Sequence, residues 1–431
     1  MIEAYTRRRF LQTLSAASAA LGSSSWAIAS VADNTASTPA RVVVIGGGYG
    51  GATAAKYLRL WGLGAIEVIL IERGVEFVSC PLSNLVLGGT RRIEDLTLSY
   101  DGLRARGVRV VQDEAVAIEP GRKQVRLKSG ELLRYDRLIV SPGIDFLYDQ
   151  LPGLRDALSQ GTILHAWKAG AQTVALRAQL EAMREGGTYI IAIPRAPYRC
   201  PPGPYERACQ VAHYFKSEKP RAKILVLDAN PDLVSKKALF SAAWNDLYRG
   251  MIEYVPNQEA KDVDWRKRTV HTEFDAFTGD VVNVLPPMRA GDIAGQAGLI
   301  TANNRWCGVD WMSMESTAVP GIHVLGDATL SAAAMPKSAS MANNHAKIAA
   351  SAIVAIVGGE PLNPAPTINN TCYSYVSDRE AIHVNSVHTW DPAQKTLVSV
   401  KGSGGVSAGP SELEKGYADA WARNIWADTL A

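Results

Sequence analysis

Residues 41–51, RVVVIGGGYGG, begin as a short β-branched run and continue into glycines. The run predicts a buried parallel strand. Gly46, Gly48 and Gly51 then satisfy the G-x-G-x-x-G spacing ahead of a helical segment, and a second strand ends at Glu72. Such glycines let the backbone approach a pyrophosphate, the helix N-terminus stabilises its charge, and the acidic residue accepts from ribose hydroxyls. The stretch therefore predicts a dinucleotide-binding domain rather than a purely structural glycine turn.

A strand far along the chain favours FAD as the dinucleotide. This strand ends in Leu325, Gly326 and Asp327, and in flavoproteins with two dinucleotide-binding domains an Asp at this place contacts the ribityl chain of FAD. An Ala-rich helix is predicted over 337–357, and its N-terminal end at Lys337 would stabilise a reduced, anionic flavin ring. The alternative for Asp327 is an ordinary helix cap. We expect FAD, with Gly326, Asp327 and Lys337 among its binding residues.

Residues 160–270 form a second α/β unit whose phosphate loop differs from the first. Its strand over 188–193 leads into 194–204, PRAPYRCPPGP. Prolines lack the backbone N–H groups that a pyrophosphate needs, and their fixed φ angles stiffen the loop. We infer that a nicotinamide dinucleotide does not bind here, and that the unit is a rigid holder for Cys200.

The composition suits a globular chain of two or three domains. The 431 residues are 47% hydrophobic and 20% charged, which argues against a disordered or disulfide-dense protein. The formal net charge of +3, without a basic cluster interleaved with aromatics, argues against nucleic acid as a partner. No apolar run of about 18 residues follows the N-terminus, so we expect no membrane span in the mature protein. The five cysteines lack C-x-x-C spacing and paired histidines, so no metal site is expected.

The N-terminus has the features of an export signal. Residues 6–12, TRRRFLQ, fit the twin-arginine pattern, and 27–29, AIA, fit a cleavage site. A surface amphipathic helix is the alternative. Because the twin-arginine route exports folded, cofactor-loaded proteins, we expect a signal peptide over 1–29 and a periplasmic protein. In that oxidising compartment, an odd number of cysteines leaves at least one outside internal bridges.

The expected fold class is α/β, with two Rossmann-like dinucleotide-binding domains of the glutathione reductase type and a small C-terminal α+β domain. The expected division is a linker over 30–40, an FAD-binding domain over 41–158 and 286–357, a second domain with a degenerate nicotinamide site over 159–285, and a C-terminal domain over 358–431. The C-terminal domain contains Trp and Tyr residues that make it a candidate for closing the flavin pocket or contacting a partner.

Two cysteine-containing stretches resemble a known family. Residues 77–84, FVSCPLSN, and 199–207, RCPPGPYER, resemble the flavin-binding subunit of flavocytochrome c sulfide dehydrogenase. The glycine motif, Gly326-Asp327 and the Cys372 segment extend the resemblance over nearly the whole chain after the signal. The family is akin to sulfide:quinone oxidoreductases and glutathione-reductase-type flavoproteins. The resemblance implies a sulfide dehydrogenase that uses FAD and passes electrons to a cytochrome c.

The resemblance also implies roles for four residues. Cys80 would hold the 8α-methyl group of FAD as a thioether. Cys200 and Cys372 would form a redox-active disulfide that hydrosulfide attacks, and Glu206 would be the acid/base. Plainer alternatives are a buried thiol for Cys80, an inert structural disulfide, and a solvated first-turn carboxylate for Glu206.

The electron acceptor must lie on another chain, because this one has no C-x-x-C-H haem-attachment motif. We expect a heterodimer with a c-type cytochrome subunit that carries haem c. Two rival functions stay open: a sulfide:quinone oxidoreductase, and a non-turnover thiol-disulfide or flavoprotein partner of a thiosulfate-oxidising complex. Residues 416–430 lack the Lys/Arg-rich face of a membrane-lying helix, which disfavours the first rival. Cys209 and Cys307 are either buried thiols or a second bridge.

Overall fold

The computed structural model describes residues 39–431. The predicted signal peptide over 1–29 and most of the predicted linker over 30–40 therefore lie outside the described residues. The α-helices are α1 (Tyr49–Trp61), α2 (Ser83–Gly88), α3 (Asp101–Ala105), α4 (Leu154–Ser159), α5 (Ala171–Ala182), α6 (Gly203–Glu218), α7 (Lys237–Leu247), α8 (Asp292–Gln296), α9 (Ala339–Gly358) and α10 (Glu412–Leu430).

The strands are β1 (Ala40–Ile45), β2 (Ile66–Glu72), β3 (Phe77–Val78), β4 (Thr97–Leu98), β5 (Arg109–Gln112), β6 (Ala115–Glu119), β7 (Gln124–Leu127), β8 (Leu132–Arg134), β9 (Arg137–Val140), β10 (Ile144–Phe146), β11 (Ile163–Leu164), β12 (Thr188–Ile193), β13 (Lys223–Asp228), β14 (Ile252–Pro256), β15 (Asp262–Asp264), β16 (Thr269–His271), β17 (Ala276–Thr278), β18 (Val281–Val284), β19 (Met288–Ala290), β20 (Ile300–Ala302), β21 (Trp306–Cys307), β22 (Val309–Asp310), β23 (Glu315–Ser316), β24 (Ile322–Val324), β25 (Thr367–Tyr375), β26 (Ala381–Asp391), β27 (Thr396–Ser399) and β28 (Gly405–Val406).

The first sheet has seven strands in the order β22-β23-β24-β9-β1-β2-β5. From β24 to β5 all neighbours are parallel, and only the β22-β23-β24 edge is antiparallel. The β-branched run of β1 is buried on both faces, since Val43 and Val44 belong to two different core clusters. This is the arrangement that a doubly wound sheet imposes on its central strand.

The second sheet consists of five parallel strands in the order β11-β18-β12-β13-β14. The strand predicted over 188–193 is β12, and the loop after it leads into α6. The antiparallel pair of β10 and β19 lies where the chain leaves the first sheet and where it returns. The class of fold is therefore α/β with two Rossmann-like sheets, as the sequence predicts.

The C-terminal segment forms an antiparallel sheet of β25, β26 and β27, with β28 paired to β26. The last helix, α10, returns to the first domain and packs on α1. Tyr57 donates to Asp428 at 2.5 Å, and Trp426 donates to the hydroxyl of Tyr49 at 3.0 Å. These contacts hold α10 against α1, the helix that follows the glycine loop after β1.

Candidate functional site

A cavity opens where the glycine loop after β1 meets the second domain and the C-terminal sheet. Its volume is about 640 Å³, which lies in the range of small-molecule and cofactor sites. The predicted site residues that line it are Gly46, Gly48, Glu72, Cys80, Cys200, Glu206, Gly326, Asp327 and Cys372. The structure thus brings together nearly all of the site residues predicted from the sequence. Gly51 and Lys337 are not among the residues that line the cavity.

The glycine loop has the shape of a pyrophosphate cradle. Gly46 has a φ of 93°, and a Cβ there would lie 2.3 Å from the Ser141 carbonyl oxygen. A Cβ at Gly51 would lie 1.9 Å from the carbonyl oxygen of Gly46, so this glycine allows α1 to pack on β1. Gly48 lines the cavity, and a Cβ there would meet nothing within 4 Å. The N-terminus of α1 is therefore open to an anion.

Glu72 closes the glycine loop from the end of β2. Gly47 N–H donates to one carboxylate oxygen at 2.6 Å, and Gly74 N–H donates to the other at 2.8 Å. Each oxygen retains a further lone pair, which a ribose hydroxyl can use. Glu72 thus occupies the place of the acidic residue in the dinucleotide fingerprint.

Asp327 provides the test of whether the cavity fits FAD. Its Oδ1 atom is buried and has no hydrogen-bond partner in the part of the chain that the structure describes. Burial raises the pKa of the Asp327 carboxyl, and the charges of Arg199 and Lys337 oppose this only in part. A buried oxygen without a donor is costly unless a ligand supplies one. The ribityl hydroxyls of FAD are such donors, so the residues fit this cofactor.

Lys337, which is predicted among the cofactor-binding residues, does not itself line the cavity. Its ammonium donates to the carbonyl oxygen of Asp327 at 3.1 Å and lies 3.7 Å from the centroid of the Trp306 ring. The helix α9 begins two residues later than predicted, at Ala339, with Ser338 as its N-cap. Ser338 and Ala339 line the cavity. The positive end of the helix therefore faces the cofactor site without help from the lysine.

Cys80 lies in the cavity wall just before α2, half-buried and outside any disulfide. The guanidinium of Arg199 donates to its Sγ at 3.4 Å. Burial by itself lowers the pKa of Arg199, but Cys80, Asp327 and Cys200 more than compensate, so the net shift is upward. Cys80 thus presents its sulfur to a ligand in the cavity beside a permanent cation.

Cys200 and Cys372 meet although they lie 172 residues apart, one just before α6 and the other on β25. Neither is part of a disulfide in the structure, and their side chains are in hydrogen-bond contact with each other. Cys200 has a φ of 57°, which is uncommon for a residue with a Cβ, and its N–H donates to the Lys337 carbonyl oxygen at 2.9 Å.

The two thiols are chemically unequal. The hydrogen bond with Cys200, and after it the charge of Lys236, outweigh burial and lower the pKa of the Cys372 thiol. The same hydrogen bond, together with burial and the charge of Glu206, raises the pKa of the Cys200 thiol. Cys372 is therefore the group of the pair that carries a negative charge more readily, and the better leaving group of a disulfide between them.

Glu206 is buried in the first turn of α6. One of its oxygens accepts from the side chain of Asn84 and the other from the backbone N–H of Tyr375, each at 2.8 Å. Burial raises the pKa of Glu206 despite these two bonds. A buried carboxyl group with a raised pKa beside two thiols is suited to exchange a proton with a substrate at those sulfurs. The alternative of a solvated first-turn residue does not fit its burial.

The second domain fills its own nucleotide position with protein groups. Asp228 ends β13, as Glu72 ends β2, and is fully buried. The hydroxyls of Tyr205 and Tyr254 donate to one of its oxygens at 2.8 and 3.1 Å. Asn230 donates to the other oxygen through its backbone and side chain at 2.9 and 2.7 Å. A ribose would find these acceptors already engaged, which supports the prediction that nicotinamide dinucleotide is not bound.

Cys209 and Cys307 are separate buried thiols. Trp244 donates to the sulfur of Cys209 at 3.2 Å, while Cys307 lies on β21. Burial raises the pKa of both thiols, that of Cys307 to about 12. The structure thus favours two separate buried thiols over a second disulfide bridge between Cys209 and Cys307.

Sequence reasoning missed several residues that position the site. Lys236 lies behind Cys372, and Arg199 and Asn84 hold Cys80 and Glu206. Arg207 is buried and donates to Asn84 and to the backbone before Trp167. Arg199, Asn84 and Arg207 belong to the two cysteine-containing stretches, so a sequence signal existed for them. Lys236 had none.

Fold and site together define a flavoprotein of the pyridine nucleotide-disulphide oxidoreductase class. A family model of that description matches residues 40–181. Two further models match, one described as the central part of the sulfide dehydrogenase [flavocytochrome c] flavoprotein chain over 173–286, and the other as flavocytochrome c sulphide dehydrogenase, flavin-binding, over 364–430. A sulfide dehydrogenase [flavocytochrome c] flavoprotein chain from Chlorobaculum thiosulfatiphilum is 56% identical over 46 residues, which are 11% of this chain and 94% of that sequence. The chain belongs to the family of flavocytochrome c sulfide dehydrogenase flavoprotein chains.

Quinone-linked proteins share the fold over a longer stretch. A mitochondrial sulfide:quinone oxidoreductase from Dictyostelium discoideum is 20% identical over 338 residues, 75% of this chain and 72% of that protein. The crystal structure of the sulfide:quinone oxidoreductase from Aquifex aeolicus superposes with a TM-score of 0.72 at 17% identity, over 90% of this chain and 91% of that one. Among residues 39–431, no helix combines the length and apolar character needed to span a bilayer.

Proposed function

We propose that this chain is the flavoprotein of a periplasmic sulfide dehydrogenase, which oxidises sulfide and passes the electrons through FAD to a c-type cytochrome subunit. The observation that carries the proposal is the contact of Cys200 with Cys372 in the wall of a cavity that fits FAD. Two thiols contributed by distant parts of the chain and aligned on a cofactor site can store and release an electron pair as a disulfide.

The first chemical step involves only the protein and its substrate. Hydrosulfide attacks Cys200 Sγ of the Cys200–Cys372 disulfide, so one S–S bond breaks and another forms. The products are a Cys200 persulfide, which keeps the substrate proton, and a Cys372 thiolate. Glu206 takes the proton from hydrogen sulfide when the substrate enters in its neutral form. Bound FAD supplies an acceptor that takes up two electrons and releases them one at a time.

A covalent bond from Cys80 to the 8α position of FAD is part of the proposal. Its support is the family membership, together with the place of the Cys80 sulfur in the cavity wall beside Arg199. An exported protein has no FAD pool from which to replace a lost cofactor, so a thioether keeps the enzyme active.

A quinone is the second candidate acceptor, because sulfide:quinone oxidoreductases are similar to this chain over 75% of its length in sequence and 90% in structure. An enzyme that passes electrons to a quinone in the membrane needs an amphipathic surface that is free to contact lipid. The C-terminal helix α10 instead packs on α1, where Asp428 and Thr429 are hydrogen-bonded to Tyr57 and Thr53. This packing favours the soluble acceptor, haem c on a partner subunit.

Steady-state assays with both acceptors test the proposal. Sulfide-dependent reduction of cytochrome c is expected, with Cys200→Ser and Cys372→Ser losing turnover while the flavin is retained. Cys209→Ala is the matched control, since Cys209 is buried and is not among the residues that line the cavity. Reduction of a quinone analogue alone would replace the proposal with the second candidate.

If neither acceptor is reduced and a thiosulfate-oxidising complex is stimulated, the chain is a non-turnover partner of that complex. The periplasmic location has its own test. Cell fractionation should find the protein with periplasmic markers, and replacing both Arg7 and Arg8 with Lys should leave it in the cytoplasm. Periplasmic recovery of that variant would argue against the twin-arginine route.

A further inference from the structure

Lys236 is a buried lysine that the mechanism above does not use. It is 8% exposed, and it occupies the N-cap position of α7 with a φ of 51°. The chain bends there into the left-handed region, which is strained for a residue with a long side chain. The structure therefore holds this lysine at a place where its charge is costly and its backbone is unfavourable.

Both hydrogen-bond acceptors of the Lys236 ammonium, within residues 39–431, are neutral. They are the carbonyl oxygen of Cys372 and the hydroxyl of Ser374, each 2.9 Å from Nζ. The neighbouring Lys237 contrasts with this, because it is exposed and forms an ion pair with Asp232. A buried ammonium held by neutral groups alone has an uncompensated charge. A negative group nearby would therefore be stabilised strongly.

Among the titratable groups near the Lys236 ammonium, one remains available to carry the negative charge. Those that face it are Cys372 on β25, Cys200 and Glu206 beside or on α6, and Glu414 on α10. Glu414 is already engaged by His383 at 2.7 Å. Glu206 already has its two carboxylate oxygens engaged by the N–H donors of Asn84 and Tyr375. The hydrogen bond with Cys372 and burial raise the pKa of the Cys200 thiol, which favours its protonated form. The Cys372 sulfur is the remaining acceptor of negative charge.

We propose that Lys236 is a positioning residue that stabilises the Cys372 thiolate, so that hydrosulfide attacks Cys200 and Cys372 leaves. The inference rests on the proposed function for its substrate. When the disulfide opens, the electron pair of the broken S–S bond goes to Cys372, and the Lys236 ammonium compensates that charge. The direction of attack follows, because the sulfur that is better stabilised as an anion is the better leaving group. Lys236 acts from behind Cys372 and does not line the cavity.

The test is the pH dependence of Cys372 alkylation in the reduced holoenzyme. The protein is reduced anaerobically, treated with iodoacetamide across pH 5–10, and the Cys372 peptide is quantified by mass spectrometry. Lys236→Met should raise the midpoint of the alkylation rate by about one pH unit, which is the effect of removing a nearby charge. Lys236→Arg should keep the midpoint near the wild-type value. Lys237→Met is the matched control and should change nothing.

The same variants have a kinetic readout. Lys236→Met should lower kcat/KM for sulfide about three- to tenfold, because the leaving thiolate is less stable. An alkylation midpoint equal to that of the Lys237→Met control would overturn the inference. If Lys236→Met does not fold, Ser374→Ala replaces it, because this variant removes one of the two hydrogen-bond acceptors of the ammonium. Ser374→Ala should raise the alkylation midpoint by a smaller amount, and an unchanged midpoint would also overturn the inference. A shifted midpoint in an enzyme that does not oxidise sulfide would instead reject the proposed function and leave the role of Lys236 standing.

Discussion

Replacing Glu206 with Gln tests its acid/base role. The substitution should also lower the stability of the protein, because it disturbs the hydrogen bonds around this side chain. Both carboxylate oxygens accept from N–H donors, one from Asn84 and one from Tyr375. A Gln side chain has one oxygen and one NH₂, so one of these buried donors must face another donor. Turning the Asn84 amide does not help, because its oxygen already accepts from Arg207 at 3.0 Å. We expect Glu206→Gln to lower the free energy of unfolding by about 1–3 kcal/mol, the cost of an unsatisfied buried polar group.

The kinetic effect is separate from this cost. The pKa of Glu206 is raised by burial, so its base form is present only above that raised value. The wild-type rate at limiting sulfide should therefore rise with pH as Glu206 loses its proton. In Glu206→Gln the part of the rise that follows the Glu206 titration should be absent, which leaves only the rise set by the ionisation of hydrogen sulfide itself. Where the substrate is mostly neutral hydrogen sulfide, kcat/KM should fall by about 10²-fold. Stopped-flow reduction of the flavin by sulfide between pH 5 and 9, with urea unfolding of the same preparations, measures both effects.

A double variant separates stability from chemistry. Asn84→Asp in the Glu206→Gln background gives the Gln NH₂ an acceptor, while the Gly203 carbonyl loses the donor that Asn84 supplies at 3.1 Å. Stability should be recovered in part and the rate should stay low. Glu218→Gln, at the exposed end of the same helix, is the control. A Glu206→Gln enzyme with the wild-type pH profile would refute the acid/base role, and one with unchanged unfolding free energy would refute the hydrogen-bond reasoning.

Three further predictions concern the cofactor. Gly48→Ala should fold normally, because the added Cβ meets no protein atom within 4 Å, yet it should retain less flavin because Gly48 lines the cradle. The absorbance at 450 nm per protein measures the flavin content, and full occupancy would contradict the prediction. Cys80→Ser should release its flavin into the supernatant after acid precipitation, whereas the wild-type flavin should stay with the pellet; release from both would end the covalent assignment. NADH should leave the flavin oxidised for minutes under anaerobic conditions, since Asp228 is engaged by Tyr205 and Tyr254; rapid bleaching would show that the second domain still binds the nucleotide.

Much of the fold could be predicted from the sequence, because the patterns that indicate it involve residues that are close together in the chain. The run of residues in β1, the glycines after it and the acidic end of β2 each reflect the sterics of a few neighbouring residues. The strand predicted over 188–193 has the same bounds in the structure. The helix predicted from Lys337 begins at Ala339 instead, because Ser338 caps it, and a two-residue shift at a helix end is within the range that local patterns leave open.

The sequence by itself determined the parts of this protein that local chemistry dictates: a cradle for a dinucleotide, and a proline-rich loop unable to form a second one. Only the tertiary structure decided what surrounds the reactive sulfurs. Cys200 and Cys372 lie far apart in the chain, and no pattern of spacing predicts that Lys236 stands behind one of them or that Tyr205 engages Asp228. The physical reason is that electrostatic and hydrogen-bond effects depend on distance in space, which folding sets by packing three separate sheets around one cavity.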